Sequence, residues 1–312
     1  GSYMINLAQP SKRLVRTLMD NDVPMKQDFI DSQERLRAKN IPDQIYDVTA
    51  WSFPGMYNVK SQACNRVPLG NFEAASHDLV LAGVLENPNA SVAYLVPWGS
   101  TAAVRLLTSA LRANLDIMSA DKSFTIGGRE YLAGTLILKV QDNPENLSST
   151  LIYMASETGA EVVGINDSWV TAGINFGSNN VVEMDAPKVA IAWDRPTSSS
   201  AAGNTRFVIE RQFGYPVSAI RTPQLSSNEL TRYQVLILPD GGDYKSVLGR
   251  GGVENIKQWV KSGGTLIAMG RAMRFVTDPD VNLLSIRREN AFKVPEVEDQ
   301  GGEDATVEGV LL

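Results

Sequence analysis

The chain has 312 residues, 43% hydrophobic and 21% charged, with 35 acidic side chains against 29 basic ones. That is the composition of a folded globular protein rather than a disordered one, the length suits two domains, and the acidic balance argues against a nucleic-acid partner, which wants a basic face. A single cysteine (Cys64) and a single histidine (His77) exclude an internal disulfide and the usual His/Cys zinc sites, which take three or four protein ligands, and no apolar run approaches the ~20 residues of a membrane-crossing helix.

In chain order, Tyr3–Leu7 reads as a strand, and Pro10–Ser11 opens a helix, since proline's missing N–H is not needed in a first turn. A charged helix follows over 28–39; Arg35, Arg37 and Lys39 stand among Asp31 and Glu34, so this is a solvated face. Residues 43–59, rich in aromatics with Pro54 and Gly55, read as an irregular packed connection, and His77 as a helical residue. "SVAYLVP" (91–97) is a buried strand, and Ser100 caps a helix with Val104, Leu107 and Leu111 on one face. "DIMSA" (116–120) is a short strand, and 123–140 alternates about Gly127–Gly128 as a hairpin does. Leu147, Leu151 and Met154 stripe the next helix, and "AEVVGIN" (160–166) adds a strand. The Gly/Asn-rich stretch 171–187 reads as a linker.

Beyond Pro187 strands and helices alternate cleanly. "KVAIAWD" (188–194) carries a continuous apolar run, Val189–Trp193, as a strand buried on both faces should. Helix 204–214, strand 215–222, helix 226–233, strand 234–242, helix 252–264 and strand 265–269 follow. This spacing predicts a flavodoxin-like, doubly wound parallel sheet over 187–312, after a mixed α/β domain over 1–186 divisible at 65/66. Gly1–Ser2 resembles a cloning remnant, and the apolar close Val310–Leu312 reads as a strand wanting a partner. The sequence is therefore expected to be cut from a longer chain, with the second domain truncated at its C-terminus. "EVEDQGGEDA" (296–305) is an acidic surface loop.

In open parallel sheets ligands bind outside the carboxyl ends of the strands. With strand order 2-1-3-4, Asp194, the "LPDGG" loop with Asp240, Gly241, Gly242 and Asp243, and the corner Gly270–Arg271 share one rim. Carboxylates beside an arginine there can take a small polar ligand or a cation; equally, aspartates at such ends cap helices and fit tight turns. The glycines of "LGRGGVEN" (248–255) lack the spacing of a phosphate-binding loop and read as a turn. No G-x-S-x-G is present, and Gly270, at the strand-to-helix corner where hydrolases place a nucleophile, carries no side chain. No catalytic and no metal-ligating residue is expected.

Residues 187–275 resemble the class I glutamine amidotransferase-like fold in their first strand, the "LPDGG" loop and "GGTLIAMG". That family places a cysteine where Gly270 stands and a histidine and an acid later; no histidine follows residue 77, so the activity does not carry over. Together, "LAQPSKRLVRTLM", "IYDVTAWSFP", "AGINFGSNNV", "RFVIERQFGYPVSAIRT" and "YQVLILPDGG" resemble the C-terminal region of bacterial zinc carboxypeptidase-like proteins. The family's zinc signature, His-x-x-Glu, is not met by His77, which Asp78–Leu79–Val80 follows. The resemblance implies a non-catalytic accessory region of a periplasmic or secreted metallocarboxypeptidase-like protein, with zinc only in an absent catalytic domain. Its implied partners are its own N-terminal peptidase domain, peptide or cell-wall material, or a second copy. Two other readings stay open: a polar-ligand module using the rim, and a carboxylate-based hydrolase.

Overall fold

The structure, a computed structural model, describes residues 3–21, 25–42, 44, 52–57, 59–75, 82–226, 228–286 and 288. The described residues up to 75 belong to one compact unit and those from 82 to 288 to another. His77, the 45–51 part of the aromatic stretch, the acidic loop and Val310–Leu312 lie outside the described residues.

The first unit carries α1 (Lys12–Met19), α2 (Gln27–Ala38) and the short α3 (Phe53–Tyr57). The first two match expectation, whereas α3 replaces part of an expected irregular connection. The expected strand Tyr3–Leu7 does not form: its residues are irregular and Tyr3 is 69% exposed. Without a neighbouring strand, an extended segment leaves its backbone groups to water and gains nothing from its apolar side chains. Gln33 is buried on α2, and its side-chain oxygen accepts from the Gln44 N–H at 2.6 Å.

The second unit contains β1 (Val84–Glu86), β2 (Ala93–Val96), α4 (Thr101–Arg112), β3 (Met118–Ala120), β4 (Phe124–Ile126), β5 (Arg129–Tyr131), β6 (Leu136–Lys139), α5 (Leu147–Thr158), β7 (Glu161–Ile165), β8 (Val170–Gly173) and β9 (Val181–Glu183). After these come β10 (Val189–Trp193), α6 (Ser199–Phe207), β11 (Val217–Arg221), β12 (Val235–Leu238), α7 (Tyr244–Lys261), β13 (Thr265–Ala268) and α8 (Met273–Val276). A six-stranded mixed sheet runs β1-β7-β2-β6-β3-β9, a three-stranded antiparallel sheet β5-β4-β8, and a four-stranded sheet β11-β10-β12-β13. All pairings of the last are parallel. In chain order its strands stand 2-1-3-4.

The period of two along each strand decides which core it feeds. Val189 and Ile191 of β10 and Ile237 of β12 face one cluster, while Ala190, Ala192, Leu236 and Leu238 face the other. The first cluster also holds Val96, Leu136, and Leu106 and Leu111 of α4, so the mixed and parallel sheets share a core. The second is closed by α7 through Leu248, Ile256 and Trp259, with Phe275 of α8. Apolar residues on both faces of β10 therefore follow from its being covered twice. The far face of the mixed sheet, Ala93, Leu95 and Ile137, packs on Phe124 and Tyr131 of the small sheet.

Four local expectations are corrected. The stretch 171–187 is not simply a linker: it completes β8 and contains β9, which pair with β4 and β3. Residues 226–233 do not make an α-helix but fall in two 3₁₀ turns, 222–226 and 228–232, as Pro223 and short polar side chains favour. The helix expected over 204–214 begins at Ser199 and ends in a π-turn, Val208–Gln212. The turn expected in 248–255 is a break inside α7, where Gly249 takes φ 60° and ψ −177°.

Candidate functional site

The carboxyl ends of β10, β12 and β13 meet on one rim. Beyond β10 the chain turns at Asp194, which takes a left-handed φ of 70° and whose Oδ1 accepts the Arg195 N–H at 2.8 Å. The Arg195–Pro196 peptide is cis. Thr197 then bridges antiparallel to Gly241, and the Gly242 N–H donates to the Pro196 carbonyl at 2.7 Å. Such closeness requires glycine: a Cβ on Gly241 would lie 2.5 Å from the Pro196 oxygen. Buried Tyr244 ties the two loops from beneath, its hydroxyl 2.8 Å from Thr197 Oγ1 and donating to the Pro239 carbonyl at 2.8 Å. Burial pushes this phenol above its usual range, so it stays neutral.

Asp243 is a helix cap: its Oδ1 accepts the Ser246 N–H at 3.1 Å and starts α7. Asp194 Oδ2 lies 3.6 Å from a nitrogen of Arg221, a loose and exposed pair. Asp240 is held far more firmly. Its Oδ1 accepts the Arg271 backbone N–H at 2.7 Å and Nε–H at 3.1 Å, and its Oδ2 accepts from Arg271 NH2 at 3.0 Å. The fork of the Arg271 side chain, followed by the backbone N–H, holds the Asp240 carboxyl down at about 2, and Asp240 in turn holds the guanidinium proton more tightly.

At the third corner β13 ends, and Gly270 turns the chain with φ 56° into the turn Gly270–Ala272 and α8. Hydrolases set a nucleophile on such a sharp strand-to-helix turn and take the oxyanion with the next backbone N–H. Both places are filled here by one carboxylate. A Cβ on Gly270 would meet Asp240 Oδ1 at 2.7 Å, Cβ at 2.9 Å and Cγ at 3.0 Å. The next N–H, that of Arg271, is the one that donates to Asp240 Oδ1. At this corner the Asp240–Arg271 ion pair stands, partly exposed, beside Gly270.

The structure thus brings Asp240, Gly270 and Arg271 into direct contact, sets Gly241 and Gly242 against the Pro196–Thr197 loop, and gives Asp194 and Asp243 turn and cap roles on the same rim. Sequence reading missed Tyr244 and Thr197, although a tyrosine next to an N-cap aspartate could have been suspected as a buried anchor. No group of three or more His, Cys, Asp or Glu able to hold a metal occurs among the described residues, and Cys64 is an exposed free thiol in the other unit. The residues here do not fit a zinc site. No helix among the described residues is long and apolar enough to cross a membrane. Set against protein-family models, curated proteins and solved structures, the chain matches none.

Proposed function

We propose that this chain is a non-catalytic accessory region of a zinc carboxypeptidase-like protein, ending in a flavodoxin-type, class I glutamine amidotransferase-like domain without its nucleophile. In this reading catalysis and zinc belong to a peptidase domain elsewhere in a periplasmic or secreted protein, and this region shapes substrate access, binds peptide or cell-wall material, or mediates assembly. One observation carries the non-catalytic part: the corner at Gly270 is occupied by the Asp240–Arg271 pair, which fills the position of a nucleophile's Cβ and engages the N–H that would take an oxyanion. The sequence phrases at 7–19, 45–54 and 172–181 carry the attachment to a peptidase. A module that binds a polar ligand at the rim is less well supported, because both oxygens of Asp240 are engaged by Arg271 and Asp243 Oδ1 caps the α7 N-terminus.

The reading frame upstream of this sequence tests the attachment. A His-x-x-Glu motif with a later histidine in a preceding domain is expected, and an unrelated domain there overturns it.

A further inference from the structure

At the amino ends of β10, β11 and β12, opposite the rim, the end of α4 approaches the parallel sheet across a hollow of about 430 Å³. A second hollow of about 510 Å³ shares Pro187 and Lys188 with it. Three of the twelve residues lining the first are cationic, Arg112, Lys188 and Arg232, and none is acidic. In a chain with 29 basic and 35 acidic residues out of 312, twelve residues drawn at random would include about one of each sign. Arg232 already has a partner of its own, and Asp185 lines the adjoining hollow, which leaves Arg112 and Lys188 as the cations offered to a ligand here.

The cations are placed differently. Arg112 donates from NH1 to the Gly214 carbonyl at 2.9 Å, which fixes its guanidinium plane, and no described carboxylate pairs with it. The backbone N–H of Lys188 donates to Gln234 Oε1 at 2.8 Å, while its ammonium has no partner among the described residues. The remaining wall is mostly apolar and aromatic, with Asn114 and Ser218 as its polar members. Tyr215 is buried and its hydroxyl donates to the Pro187 carbonyl at 2.7 Å, which immobilises the ring; Tyr233 is half-buried beside it. The hollow is open to solvent, with Arg112, Lys188 and Pro216 exposed, while its mostly apolar lining with a few charges and its volume of about 430 Å³ match the make-up of small-molecule sites.

We propose that this hollow binds a small organic anion, an oxyanion carried on an aromatic or short aliphatic body, with the oxyanion on Lys188 and Arg112 and the body against Tyr215 and Pro187. The proposal is independent of the accessory reading and of the rim. Carboxylates and phosphate monoesters share this chemistry, and the test separates them. Calorimetric titration of the whole chain with benzoate, phenyl phosphate and inorganic phosphate should show saturable one-to-one binding of at least one aromatic anion, weakening as salt is raised. Inorganic phosphate should bind about tenfold more weakly than the better aromatic anion, since it leaves the aromatic wall uncovered. Lys188→Gln should weaken binding about five- to tenfold and Lys188→Glu abolish it, while Asp240→Asn leaves it unchanged. Because the Lys188 ammonium has no partner among the described residues, the two Lys188 variants should unfold at the wild-type temperature; Arg112→Gln, which also loses the Gly214 bond, is secondary. Absence of saturable binding at about 10 mM ligand, far weaker than the millimolar affinity a modest site gives, overturns the proposal. Binding that survives Lys188→Glu, or inorganic phosphate matching the aromatic anions, overturns it equally.

Discussion

Gly270→Ala probes the closed corner most directly. The substitution adds one methyl group, in two kinds of conflict. The backbone at φ 56° is left-handed, which costs a residue with a Cβ about 1–2 kcal/mol relative to glycine. The new Cβ would also lie 2.7 Å from Asp240 Oδ1 and 2.9 Å from its Cβ, contacts relieved only by moving that side chain off the Arg271 N–H. Overpacking of this kind costs about 1–3 kcal/mol, so a total of roughly 2–5 kcal/mol is expected. The two parts separate in an Asp240→Gly background, where every contacting side-chain atom is gone and only the backbone part, about 1–2 kcal/mol, should remain. Equilibrium urea unfolding of the four proteins, followed by tryptophan fluorescence, closes the cycle. A cost for Gly270→Ala below about 0.5 kcal/mol, or one equal in both backgrounds, would show that Asp240 does not fill the corner.

Three further outcomes are expected. Asp240 has its carboxyl lowered in the fold, so its contribution is present above the ordinary value of 3.8 and is lost as pH falls toward about 2; the melting temperatures of wild type and Asp240→Asn should differ at pH 7 and converge between about pH 4 and 2, and a gap that stays constant with pH contradicts the pairing. Tyr244→Phe removes the hydroxyl that joins Thr197 to the Pro239 carbonyl and should cost about 1–2 kcal/mol in urea unfolding, whereas a neutral result would mean that the two rim loops stand without it. Ser100→Ala deletes the oxygen that accepts the Ala103 N–H at the start of α4 and should cost about 1 kcal/mol, with Ser100→Gly costing less.

What was legible in the sequence follows the range over which each feature is encoded. "KVAIAWD" declares a doubly covered strand because Val189 and Ile191 alternate with Ala190 and Ala192 within five residues, and both sets are buried. The turn at Gly127–Gly128 is equally local, and β4 and β5 pair across it from Ile126 to Arg129. Pairings that depend on distant segments were not legible. β8 and β9 lie in or beside a Gly/Asn-rich stretch that reads as a connection, and they are strands only because β4 and β3 offer edges. Tyr3–Leu7 shows the converse, an apolar stretch with strand propensity that remains irregular. At the rim the residues were legible and their chemistry was not: Asp240 and Arg271 are 31 residues apart, and only the parallel pairing of β12 with β13 sets the carboxylate on the N–H after Gly270.

The proposal that this chain has no reactive centre of its own is tested most directly by turnover. The purified chain, with and without added zinc, should release nothing above the buffer rate from peptides with a free C-terminus, from activated esters or from amides. Turnover that persists through purification and disappears in Asp240→Ala would contradict the claim and make the rim a catalytic site.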